Sequence, residues 1–371
     1  MAQALDFVLM RGGTSKGVFL RASDVPDNRE ALSRLLLNIF GSPDHRQIDG
    51  LGGADKLTSK AAIVGPSARE EADVDYLFAQ VGIDNDRVEY GLNCGNLAAA
   101  VGLHALQAGL VTCTGDVTGV RIWSVNSDRM FIAHVQCRDG QPVETGDCAI
   151  AGVPGTAAPI QLDFSQAEGA ITGQLLPLGD VASWIDLPGG HVQVSVVDCG
   201  NCVVFIPVEA IGLTGRETPD EIDGNPAALR LIHEIRRAVA HRAGLGAAFD
   251  AAKAPANPIA VFFAPAGPGE DCDIHARIWA NGMTSKAYAG TVTACTGVAA
   301  RMAGTVLHGS LSPQIHAAET LRIRHPGGVI GVKAGFDAQQ GRVTRAEITR
   351  TARRIAEGRT FLRPAGREER E

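Results

Sequence analysis

The chain has little aromatic residue, 5%, and no block of like charge outside a mixed tail at residues 363–371. No run of about 18 apolar residues occurs, which excludes a membrane-spanning helix. The start, MAQALDFVLMRGG, has neither the basic opening nor the apolar stretch of a secretory signal, so a cytoplasmic protein is predicted. A net charge of −7 and a pI near 5.8 exclude a nucleic-acid backbone as partner. Neither a dinucleotide fingerprint, a P-loop nor a paired zinc-ligand spacing is present, so no cofactor and no metal are predicted. Eight cysteines spread over 371 residues (Cys94, Cys113, Cys137, Cys148, Cys199, Cys202, Cys272 and Cys295) read as free thiols in a reducing compartment. Cys199 and Cys202 form a single C-x-x-C inside a strand-like run, without the second pair that zinc requires.

What is present is small and apolar: 44 glycines and 45% hydrophobic residues. That length exceeds what one core usually supports, and two domains are expected, 1–185 and 186–371, the second ending in a charged flexible tail. DFVLM and GVFLRA flank Arg11-Gly-Gly-Thr-Ser-Lys-Gly17 as a hairpin. VDYLFAQVGID, VTGVRIWSV and RMFIAHVQC continue as strands, and in the second half so do HVQVSVVDCGNCVVFIPV, IAVFFAPA and DIHARIWA. PAALRLIHEIRRAVAHRAGL reads as an amphipathic helix. Two further helices are apolar nearly all round: one capped by Asn93 and stopped by Gly109, the other at Thr293–Gly304 and opening on Cys295. A helix apolar on every side belongs inside a sheet wrapped around it, which makes the fold class α+β.

The mouths of these two helices carry the chemistry. Free N–H groups and the positive end of the helix dipole cradle a carboxylate, and the same field favours a thiolate at Cys94. Asn93, Gly95 and Asn96 at one mouth, and Thr293, Thr296 and Gly297 at the other, let a ligand approach the backbone. Lys60 follows a glycine-rich turn and enters the apolar strand AAIV, so its amine should be desolvated and available as a neutral base. Lys56, nearer the polar loop, reads as a surface lysine.

RGGTSKG, LTSK, DVDYLFAQV, NCGNLAAAVG and GVPGTAAPI together resemble the family of 2-methylaconitate cis-trans isomerase, 4-oxalomesaconate tautomerase and methylitaconate isomerase. The resemblance covers nearly the whole chain and implies two pseudo-symmetric domains like those of diaminopimelate epimerase, each a curved, mostly antiparallel sheet around a central helix. It places the catalytic lysine on Lys60 and the catalytic cysteine on Cys94, in a cleft between the domains. Related epimerases use two opposed cysteines, which raises the question of Cys295. Relatives often read Gly-Asn-Pro where this chain has Gly200-Asn201-Cys202.

The reaction so implied is a cofactor-independent proton shift in an unsaturated tricarboxylate. Lys60 acts as base and Cys94 as proton partner; Thr14, Ser15, Ser59, Asn93, Gly95, Asn96, Asn201, Ser285 and Thr296 are candidate substrate ligands. ADKLTSKAAIV and RVEYGLNCGN favour 4-oxalomesaconate, an intermediate of protocatechuate 4,5-cleavage and gallate breakdown, whereas WANGMTSKAYAGTVTACTG favours 2-methylaconitate of propionate metabolism. A homodimer is the expected assembly. Two other readings compete: a two-cysteine racemase, and a carboxylate-binding protein without catalysis.

Overall fold

The computed structural model describes residues 4–91, 94–187 and 190–363; Asn93 and the charged tail beyond Arg363 lie outside them. Its first part contains β1 (Ala4–Gly12), β2 (Ser15–Arg21), α1 (Arg29–Phe40), β3 (Lys60–Pro66), β4 (Val74–Val81), β5 (Val88–Glu89), α2 (Gly95–Gln107), β6 (Val117–Ser124), β7 (Arg129–Arg138), β8 (Gln141–Pro142) and β9 (Ile160–Asp163). There follow β10 (Ser183–Leu187), β11 (Gly190–Asp198), β12 (Cys202–Pro207), α3 (Pro219–Asp223), α4 (Pro226–Arg242), α5 (Gly246–Ala251), β13 (Ile259–Pro265), β14 (Ile274–Ala280) and β15 (Met283–Thr284). The chain ends with α6 (Gly290–Arg301), α7 (Val306–Gly309), α8 (Pro313–Ala317), β16 (Thr320–His325), β17 (Gly328–Asp337), β18 (Arg342–Arg350) and β19 (Ala352–Phe361). No described helix is long and apolar enough to cross a membrane.

One pairing pattern occurs twice. In β1-β2-β3-β4-β6-β7-β9 the junctions β2–β3 and β4–β6 are parallel and the others antiparallel. In β11-β12-β13-β14-β16-β17-β18 the same two places, β12–β13 and β14–β16, are parallel. The two series join where β9 pairs with β18, and their first strands are extended by β19 on β1 and β10 on β11. We propose that the chain divides between β9 and β10 with β19 returning to the first unit; residue 185 falls inside β10.

Strand alternation decides what each face covers. In β3, Ala61 and Ile63 join a core beneath α1, while Ala62 and Val64 join the core around α2. β4 divides likewise: Leu77, Ala79 and Val81 go to α1, and Val74, Tyr76 and Phe78 to α2. Residues two apart share a face, so Lys60 and Gln80 are directed to the α2 side. α1 is an ordinary covering helix, capped by Asn28 and stopped by Gly41 at φ 76°, which buries Leu32, Leu36, Ile39 and Phe40. α2 is instead buried from Gly95 to Leu106, and α6 from Gly290 to Ala300. Both are built from small residues because the sheet comes so close: a Cβ on Gly102 would lie 2.5 Å from that of Ala133, and one on Gly297 2.6 Å from Val332. Cys199 belongs to this inner core and Cys202 to the outer one under α4, so the C-x-x-C thiols face opposite ways.

His104, buried in the last turn of α2 against Phe19, is held to a pKa of about 4 by burial, helped by Arg21 and Arg354. Its folded pKa lies below the unfolded value, so between about pH 6.5 and 4 the unfolded chain binds the extra proton and stability falls as the pH falls. Thermal denaturation across that window should show His104→Leu losing less stability than the parent, by on the order of 1–3 kcal/mol. Parallel curves for the two proteins would refute the assignment.

Candidate active site

α2 begins with Cys94 as its N-cap and α6 with Ala289, both in extended conformation and neither making a side-chain cap bond. The first intrahelical bonds are Ala98 N–H to Cys94 O and Thr293 N–H to Ala289 O. The N–H groups of Gly95, Asn96 and Leu97, and of Gly290, Thr291 and Val292, therefore find no acceptor among the described residues. These mouths touch: a Cβ on Gly95 would lie 3.1 Å from Thr291 N, and one on Gly290 3.5 Å from the Gly95 backbone. Two positive helix ends meet at one buried place, where an anion is the natural partner.

Lys60 stands at the start of β3, only 7% exposed, with its Nζ donating to Gln80 Oε1 at 2.5 Å and lying 5.2 Å from the Phe78 ring centroid. Burial lowers its pKa, and the proximity of Cys94 and then Asp55 opposes that lowering. Gln80 is itself fixed, donating to Ser59 O and Lys56 O, so the amine is held in one place. Cys94 is 8% exposed. Near it the Tyr76 hydroxyl is fully buried and has no hydrogen-bond partner among the described residues; burial and then Cys94 push its pKa well up. Lys56 is half-buried rather than a surface lysine, and burial and Lys60 together bring it down to about 8.

A cavity of about 350 Å³ adjoins this pair, within the range of small-molecule sites. Its wall includes Thr14, Tyr288, His325 and Arg350, but neither Lys60 nor Cys94. Arg350 connects the two regions, because it lines the cavity while its pKa, lowered to about 10 by burial, is partly restored by Cys94. Its Nε donates to Asn96 Oδ1 at 2.9 Å, and Asn96 Nδ2 donates to Thr14 Oγ1 at 3.0 Å. A larger hollow of about 620 Å³ lies against His104, Gln107 and Ala108, at the other end of α2 from the helix mouths.

The structure thus gathers Lys60, Cys94, Gly95, Asn96 and Thr14, with Ser15 buried in the adjoining start of β2. Asn201 is 2% exposed at the α6 mouth, where its Nδ2 donates to Thr291 Oγ1 at 2.5 Å while Oδ1 has no partner. Three expected ligands have protein acceptors instead. Ser59 Oγ donates to Gln47 Oε1, Ser285 Oγ to Ala287 O, and Thr296 Oγ1 to Val292 O inside α6. Asn93 lies outside the described residues, and the cap expected there is Cys94.

Cys295 requires a correction. α6 starts at Gly290, so Cys295 is its sixth residue rather than its first, fully buried and donating to Val197 O at 3.3 Å. Burial pushes its pKa well up, so no second thiol faces Cys94, and Ala289 stands at the matching cap. Two-cysteine racemase chemistry has no second cysteine at the mouth of α6. Sequence reasoning missed Gln80, Tyr76 and Arg350; alternation along β4 would have placed the first two on the same face as Lys60, with Gln80 opposite it. Among the described residues the one set of metal-type donors is Glu270, Cys272 and His275, at the opposite end of β14 from the loop leading to α6. There Arg216 already bridges His275 and Glu270.

The chain is 43% identical to 3-methylitaconate isomerase of Eubacterium barkeri, over 96% of this chain and 97% of that one. It is 38% identical to 4-oxalomesaconate tautomerase of Pseudomonas putida (95% and 94%) and 37% identical to 2-methyl-aconitate isomerase of Shewanella oneidensis (94% of each). The crystal structure of a methylitaconate-delta-isomerase matches with a TM-score of 0.84 at 42% identity, covering 97% of this chain and 96% of that one. A hydroxyproline epimerase from Agrobacterium vitis, 13% identical, matches with a TM-score of 0.59 over 98% and 94%, which shows the epimerase-like fold alone. Residues 3–363 match the PrpF protein family, and the chain belongs to that family of isomerases.

Proposed function

We propose that this protein moves a proton between two carbons of an unsaturated di- or tricarboxylate, with Lys60 as base and Cys94 as acid. The observation that supports this most is a lysine amine, deprived of water and held by Gln80, beside a thiol at an uncapped helix end. Neutral Lys60 removes the allylic proton next to a carboxylate, and the electron pair it leaves spreads into a dienolate. The helix N–H groups face the developing oxyanion. The Cys94 thiol then protonates the far carbon, the double bond moves by one position, and the proton on Lys60 returns to the thiolate. No electrons are lost or gained, so the cycle consumes no oxidant or reductant. In this reading the enzyme works in the cytoplasm.

For the substrate we propose 3-methylitaconate, because identity to its isomerase is 43%, against 38% to the 4-oxalomesaconate tautomerase and 37% to the 2-methyl-aconitate isomerase over similar coverage. A second reading, 4-oxalomesaconate, is favoured by the local motifs around Lys60 and Cys94. Ultraviolet assays of 3-methylitaconate, 4-oxalomesaconate and 2-methylaconitate in D₂O should give the highest kcat/KM on the first, with solvent deuterium in the product. Higher kcat/KM on 4-oxalomesaconate would transfer the assignment to the second reading, and the absence of both turnover and deuterium uptake with all three would overturn the function.

Loss of the base should be more damaging than loss of the thiol. Lys60→Met is expected to lower kcat by about 10² to 10⁴ with the circular dichroism spectrum unchanged. Cys94→Ser retains a hydroxyl at the helix mouth and should lose less, whereas Cys295→Ser should remain near the parent rate. Because burial lowers the pKa of Lys60, kcat/KM should rise with pH through an apparent value below 10.5. Parent-like turnover by Lys60→Met would overturn this division of roles.

A further inference from the structure

Arg350 is 4% exposed and has no acidic partner among the described residues. It donates from Nε to Asn96 Oδ1 and from Nη1 to Thr349 O, both at 2.9 Å, and the rest of its fork remains unused on the cavity wall. A guanidinium taken out of water without a counter-ion is costly unless an anion arrives to meet it. The other cation on that wall, Lys333, is already paired with Glu319 at 3.1 Å. His325, on the same wall, accepts Gly327 N–H at Nδ1, so its neutral ring carries the proton on Nε2 as a donor. Burial, assisted by Arg350, holds its pKa near 4 and keeps it neutral. Thr14 adds a hydroxyl beside Asn96.

Accordingly, we propose that Arg350, with His325 and Thr14, binds a second carboxylate of the substrate, while the touching mouths of α2 and α6 hold the first. This rests on the isomerase reading and makes its site one for dicarboxylates. Arg350 suits the task because its fork matches a carboxylate in two parallel bonds, and because Asn96 ties it to the α2 mouth. The third carboxylate of a tricarboxylate would extend into the remaining cavity.

Binding can be measured without turnover, using methylsuccinate and butyrate, which have two carboxylates and one and no double bond to move. Calorimetry should show the parent binding methylsuccinate about tenfold or more tighter than butyrate, a preference that Arg350→Met abolishes while butyrate binding stays the same. Arg350→Lys, which keeps the charge but not the fork, should retain part of the preference, and it decides the matter if Arg350→Met fails to fold. In turnover, Arg350→Lys should raise KM about tenfold with kcat changed much less. Undiminished preference for methylsuccinate in the variants would overturn the subsite and leave the isomerase reading intact. A parent that binds methylsuccinate through Arg350 but isomerises none of the three substrates would overturn the isomerase reading alone.

Discussion

The constraint on which everything else depends is the meeting of two buried, uncapped helix ends. Side chains cap α1, α3, α4 and α7, through Asn28, Thr218, Asn225 and Thr305, whereas the short α5 and α8 are uncapped like α2 and α6 but are not buried along their length. At α2 and α6 the cap positions are Cys94 and Ala289, and neither side chain closes the first turn. Among the described residues the first-turn amides of both helices find no acceptor, and buried donors are expensive to leave unpaired. The arrangement is stable because both helices are buried along their length, in sheets whose small inward residues allow close approach.

Around this point the low dielectric acts on each ionisable group in the direction that chemistry requires. It lowers Lys60 towards the neutral amine, keeps Tyr76 protonated and keeps His325 neutral. Arg350 has no acidic partner among the described residues and keeps its charge in this dry setting although burial lowers its pKa to about 10. A pair consisting of neutral lysine and neutral thiol can become ammonium and thiolate and return without a net change of charge, which suits a reaction that moves only a proton.

The repeated strand pattern makes the departures from symmetry informative. Both halves contribute a helix mouth, but only the first contributes a base and a thiol. At the second mouth Ala289 replaces the cap cysteine, and Thr291 is bonded to Asn201. In the proposed reaction the first half supplies the base and the thiol, and the second supplies the facing helix end. Arg350 comes from β18, the strand that pairs with β9 and joins the two series.

Local chemistry was enough to reveal several elements from the sequence. The hairpin around Gly13, the all-apolar helix after Cys94, the amphipathic α4 and the entry of Lys60 into an apolar strand each follow from neighbours within a few residues, where turn chemistry and periodicity act directly. The sixth-residue position of Cys295 was not legible, because Gly290-Thr-Val-Thr carries no start signal and α6 gains its first turn from burial. Nor was the return of β19 to β1, a pairing of residues more than 300 apart. Arg350 and Asn96, 254 positions apart, meet only because the sheets close on each other. Which residues could do acid–base chemistry was legible along the chain, since that is a property of a side chain and its immediate surroundings. Which of them share one dry place was not, since contact between distant segments is set by how two sheets wrap their helices.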